Sequence, residues 1–95
     1  MRQYETMYIL KPDLEAEQIK ELVEKYQSLV TEHGGQIDQL QEIGKRRLAY
    51  EINRYREGYY VLMQFSADTD FTRELERMLR LEDKVIRYLT VRLGE

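Results

Sequence analysis

Three consecutive cations, Lys45, Arg46 and Arg47, follow Gly44 and run into Leu48-Ala49-Tyr50-Glu51-Ile52-Asn53, with Arg54 and Arg56 close behind. Cations at this density can neutralise several backbone phosphates of a nucleic acid at once. Residues 44–58 hold five cations and two anions in a chain whose formal net charge is −3, so charge is polarised along the sequence and an acidic pI does not exclude a polyanionic partner. The same residues have a second use, because edge strands carry Lys and Arg simply to block pairing with other chains. Both uses stay open at this level. In an extended chain, Arg46, Leu48, Tyr50 and Ile52 share one face, while Lys45, Arg47, Ala49, Glu51 and Asn53 take the other. A cation in line with apolar residues must reach past the core or meet a negative group, since an unpaired buried charge is costly.

Other chemistries find little to work with. There are no cysteines, which excludes disulfides, thiolate catalysis and cysteine metal sites. The single histidine, His33, precedes Gly34-Gly35 and reads as a helix terminus, where the negative end of the helix dipole favours a cation. No nucleophile with a base, paired carboxylates or phosphate-cradling glycine loop stands out, and the abundant acids follow helix surfaces. The chain therefore reads as a non-enzymatic protein without a cofactor. With no apolar run near 20 residues, and no short apolar stretch behind a basic start, it is expected to be neither inserted in a membrane nor secreted.

The elements that must position these cations follow from periodicity. Residues 3–11 carry apolar groups on both faces, as in a central strand. Lys11-Pro12-Asp13 breaks it, and the acids Asp13, Glu15 and Glu17 precede a helix whose stripe is Ile19, Leu22, Val23, Tyr26 and Val30. After Gly34-Gly35 a long strand over 36–53 breaks its alternation near Gly44, which predicts a bulge or bend. A turn over 53–58 leads to a strand over 59–67, with Val61, Met63 and Phe65 facing the core and Tyr60, Leu62 and Gln64 facing away. Asp68-Thr69-Asp70 offers capping oxygens to a second helix with the stripe Phe71, Leu75, Met78 and Leu79, and Val85 to Leu93 forms the last strand.

The order strand, helix, strand, strand, helix, strand in 95 residues predicts one domain, residues 1–95. It is an α+β, ferredoxin-like βαββαβ fold, with a four-stranded antiparallel sheet, both helices on one face, and the first and third strands central. The other face is left open. In this topology Arg2 and Arg92 are neighbours at one edge, with Arg87 farther along, forming a second basic group whose plain alternative is ordinary surface charge. The same fold carries the common RNA-recognition domain, but Tyr60, Val61, Leu62 and Gln64 largely replace the residues that would stack bases on its third strand. RNA would then be held mainly by phosphate and shape contacts. An apolar open face on a small domain also suggests a protein interface, and a small-molecule regulatory domain of this fold is a further alternative.

The run Gly44-Lys45-Arg46-Arg47-Leu48-Ala49-Tyr50-Glu51-Ile52 resembles the signature of the bacterial small-subunit ribosomal protein six family, in which glycine, basic residues, Leu-Ala-Tyr and isoleucine recur at this spacing. Met1 to Pro12, Gly58-Tyr59-Tyr60 and Asp83 to Tyr88 resemble it too, and Glu51 stands where many members have proline. The resemblance implies a structural constituent of the small ribosomal subunit, cytoplasmic and on the ribosome, with a role in translation and subunit assembly. It implies binding to the central domain of small-subunit ribosomal RNA together with ribosomal protein eighteen as a heterodimer partner. On this reading Arg2, Lys45, Arg46, Arg47 and Arg92 contact RNA, and Tyr60 and Leu62 meet the protein partner.

Overall fold

The computed structural model describes residues 1–94. Its elements are β1 (Arg2–Leu10), α1 (Ala16–Glu32), β2 (Gln36–Ile52), β3 (Tyr55–Ala67), α2 (Thr69–Leu81) and β4 (Val85–Arg92). The four strands form one antiparallel sheet in the order β2-β3-β1-β4, so β1 and β3 are central as their two-sided apolar character requires.

Alternation decides which residues face the helices. Tyr4, Thr6, Tyr8 and Leu10 of β1 and Val61, Met63, Phe65 and Ala67 of β3 are buried, and they pack against Leu22, Val23, Tyr26 and Val30 of α1 and Phe71, Leu75 and Leu79 of α2. Aromatic edges lock the layers: Tyr8 meets Tyr26 edge-on at 5.2 Å between ring centroids, and Phe65 meets Phe71 in the same way at 5.8 Å. Thr6 is the polar member of this layer, and its hydroxyl shares a 2.8 Å hydrogen bond with that of Thr90 on β4. The hydroxyls of Tyr8 and Tyr26 have no hydrogen-bond partner among the described residues, and burial pushes both phenols well above their ordinary range.

The helix ends follow local chemistry. Glu15 caps α1, with its backbone N–H donating to Oε1 of Gln18 at 3.0 Å. At the other end the ring of His33 donates from Nδ1 to the carbonyl of Leu29 at 2.9 Å, which makes it the terminus expected. Asp68 holds the N-cap position of α2, but its side chain makes no capping bond, contrary to expectation. The first turn is closed instead by the Phe71 N–H on the Asp68 carbonyl and by the Thr72 hydroxyl on the Thr69 carbonyl. Burial disfavours the Glu82 carboxylate, yet the Lys84 N–H and the Lys25 ammonium at 3.3 Å outweigh it and hold the group below its usual range.

The hairpin differs most from the sequence reading. The turn is not six residues but two, Asn53 and Arg54, with φ of 50° and 70°, and β3 begins at Tyr55 rather than 59. Positive φ at both central residues matches the right-handed twist of the flanking strands. Asn tolerates this conformation and Arg54 bears a cost there.

Candidate nucleic-acid interface

The hairpin carries the central cations outward. Gly44, at φ +97°, sits where the β2–β3 register shifts between Glu42 and Gly44, so the anticipated bulge is present. Beyond it Lys45, Arg46 and Arg47 stand opposite Tyr59, Gly58 and Glu57 on an edge strand, and all three are exposed. Arg46 shares the open face with Gly58. Its guanidinium donates to the Lys45 carbonyl at 2.9 Å, so a backbone dipole, not a carboxylate, is its partner. No described carboxylate forms a salt bridge with Lys45, Arg46 or Arg47, whereas Lys25, Arg77 and Lys84 all pair with acids on α2 or just beyond its end.

The face expected to be shared by Arg46, Leu48, Tyr50 and Ile52 is kept by Arg46 and Tyr50, both on the side of Arg87, but it is not a core face throughout. Between Arg47 and Ile52 the register slips, four residues of β2 standing against one of β3, so alternation counted from Arg46 fails before Ile52. Leu48 is buried and Ile52 half-buried, but Tyr50 is 60% exposed. Tyr50 meets Arg87 instead. The Arg87 guanidinium donates a hydrogen bond to the Tyr50 hydroxyl, with its central carbon 5.6 Å from the ring centroid. Arg87 is opposite Ile9 and on the open face, near the hairpin and away from Arg92.

Arg2 and Arg92 are neighbours as the topology requires. Arg92 is opposite Tyr4, the Leu93 N–H donates to the Gln3 carbonyl at 2.8 Å, and both arginines border one shallow hollow of about 510 Å³ with Gln36 and Ser66. The structure does not unite this pair with the central cations. Arg2 is opposite Ala67 and Arg46 is opposite Gly58, so the two groups lie at opposite ends of the sheet. That stretch of β3 spans roughly 30 Å at about 3.4 Å per residue. They also differ in face, since Arg2 and Arg92 share the helix-side row of Tyr4.

Tyr60 and Leu62 lie on the open face, both half-buried. Leu62, Met7 and Leu89 form one row across three strands, flanked by the row Tyr60, Ile9 and Arg87. Leu89 and Val91 are 62% and 41% exposed. In sequence these two are simply apolar positions within the last strand. The alternation of Arg87, Leu89 and Val91 with Tyr88 and Thr90 assigns their face once β4 is paired to β1. The aromatic at the first base-stacking position, Tyr59, is turned to the helix side, and its hydroxyl donates to Glu42 at 2.8 Å.

Residues 3–92 match the family model described as Ribosomal protein S6. The chain belongs to the ribosomal protein S6 family. Small ribosomal subunit protein bS6 of Caldanaerobacter subterraneus is 53% identical over 95 residues that span both chains completely. That of Moorella thermoacetica is 50% identical over 95 residues, all of this chain and 97% of the relative. The crystal structure of 30S ribosomal protein S6 from Thermotoga maritima superposes with a TM-score of 0.92 at 35% identity, covering 97% of this chain and 87% of that one. The ferredoxin-like fold and the family resemblance are thus both borne out, and family membership makes this chain a structural protein of the small ribosomal subunit and not an enzyme. No helix among the described residues is long and apolar enough to cross a membrane.

Proposed function

We propose that this chain binds the central domain of small-subunit ribosomal RNA together with ribosomal protein eighteen, within cytoplasmic ribosomes and during subunit assembly. Lys45, Arg46 and Arg47 hold phosphates at one end of the sheet, Arg2 and Arg92 hold them at the other, and Tyr60 and Leu62 meet the protein partner on the open face. The observation that carries this reading is the row of three adjacent exposed cations on β2 without carboxylate partners among the described residues. Acids pair with cations around α2, but a cation without an acid keeps its charge for a polyanion. Two basic ends on different faces suit contact with a folded RNA whose backbone wraps the protein, since phosphate contacts position rather than specify. The chain's net charge is negative, so alone it binds RNA weakly, and affinity rises when the protein partner is added.

The test replaces Arg46 and Arg47 together with glutamine in the protein-partner complex. If they contact phosphate, affinity falls and the slope of log affinity against log salt flattens by roughly one unit per lost contact. If they only guard the β2 edge, the salt slope stays at the wild-type value and self-association rises. Circular dichroism and melting curves accompany the series, so that a destabilised hairpin is not mistaken for a lost contact.

A further inference from the structure

The β3 positions that would stack bases are occupied by core packing, but the hairpin carries an aromatic ring that the core does not use. Tyr50 is exposed although it lies in a strand whose neighbouring Leu48 is 6% exposed. Its ring is held at the hydroxyl end, where the Arg87 guanidinium donates to the hydroxyl with its central carbon 5.6 Å from the ring centroid. At 60% exposed, the ring stays accessible to a stacking partner. Such a ring, fixed before any ligand arrives, loses little conformational freedom on binding. Arg46 stands on the same open face and at the same end of the sheet as Arg87, with Gly58, Tyr60 and Ile9 between their strands. A flat aromatic face beside cations matches an unpaired nucleotide, whose base stacks on the ring while its phosphates meet the cations.

We infer that Tyr50, braced by Arg87, is a stacking site for one unpaired nucleobase of the RNA, with Arg46 holding an adjoining phosphate. The inference rests on the RNA-binding reading above and adds a contact of a different kind, one that releases no counterions. Sequence reading missed it because Tyr50 alternates with Leu48 and Ile52 and so counts as core.

The experiment measures binding of the complex with ribosomal protein eighteen to a central-domain fragment of small-subunit ribosomal RNA across a salt series, for Tyr50→Phe and Tyr50→Leu. Tyr50→Phe keeps the ring and binds within about twofold of wild type. Tyr50→Leu binds roughly tenfold more weakly or worse, from the usual strength of a base–aromatic stack, with an unchanged salt slope. Ultraviolet cross-linking of the wild-type complex joins RNA to Tyr50, which decides the matter even if Tyr50→Leu folds poorly. Wild-type affinity in a folded Tyr50→Leu protein, or no cross-link at Tyr50, overturns the stacking site and leaves the phosphate contacts standing. Loss of protein eighteen from Tyr50→Leu in the absence of RNA overturns it in favour of a protein contact. Failure of the wild-type complex to bind RNA removes both readings.

Discussion

Gly58→Ala tests whether the hairpin is seated on the sheet as described. Gly58 is buried opposite Arg46, and a Cβ built on it would lie 2.2 Å from Cγ2 of Ile9, 3.4 Å from the Leu10 carbonyl oxygen and 3.5 Å from Cδ1 of Ile86. Carbon atoms pack at about 3.5–4.0 Å, so Ile9 must withdraw by more than about 1 Å. Ile9 is only 7% exposed, and it can move only by leaving its rotamer or tilting into the open face. Overpacking of this kind costs about 1–3 kcal/mol. Alanine recovers about 0.4–1 kcal/mol by restricting the unfolded chain, because Gly58 does not have the positive φ that would strain it. With a mid-range recovery of about 0.7 kcal/mol the net loss is about 0.3–2.3 kcal/mol, which lowers Tm by roughly 1–18 °C in a domain of this size. Urea and thermal unfolding followed by circular dichroism measure it. Ile9→Leu moves the branch point away from Cβ, so in that background the same alanine should cost at least about 0.5 kcal/mol less, a coupling typical of residues in contact. A Gly58→Ala protein within about 0.3 kcal/mol of wild type, or the absence of that coupling, would refute the close approach of Ile9.

Two further substitutions probe the hairpin bend and the core. Gly44→Val meets only Arg46 Nη1, 3.9 Å from its Cβ, so its cost comes from the backbone at φ +97° and should be about 1–3 kcal/mol. Unchanged thermal unfolding would mean that the bulge is absent. Tyr8→Phe removes a buried hydroxyl that has no partner among the described residues, so denaturant unfolding should show stability unchanged or raised by up to about 1 kcal/mol. A comparable loss would mean that the hydroxyl is bonded, for example to a buried water.

Periodicity alone was enough for much of this chain. The stripes of both helices, the two-faced character of residues 3–11 and the alternation of Val61, Met63 and Phe65 are local patterns, and right-handed connections leave one economical way to assemble them. The bulge at Gly44 was legible for the same reason, because a glycine interrupting an alternating strand marks a local change of conformation. The run Lys45-Arg46-Arg47 was visible as a cluster because its members are adjacent in sequence.

The rest depended on pairing between distant segments. Asn53-Arg54 lacks the glycine that usually announces a two-residue turn, so the loop looked longer than it is; the paired strands impose a left-handed conformation on Arg54 that its own preference opposes. The register slip between Arg47 and Ile52 exists only against β3, and without it Tyr50 counts as a core residue. A shared strand groups Arg87 with Arg92 in sequence, but alternation puts them on opposite faces and the hairpin brings Tyr50 to Arg87. The separation of Arg2 and Arg92 from the central cations, and the row of Leu62, Met7 and Leu89, likewise arise where strands far apart in sequence lie side by side. Side-chain type and local spacing determine which elements form and which face of each is apolar; the faces that meet, and the charges left without an acid, are decided only when the strands take their register.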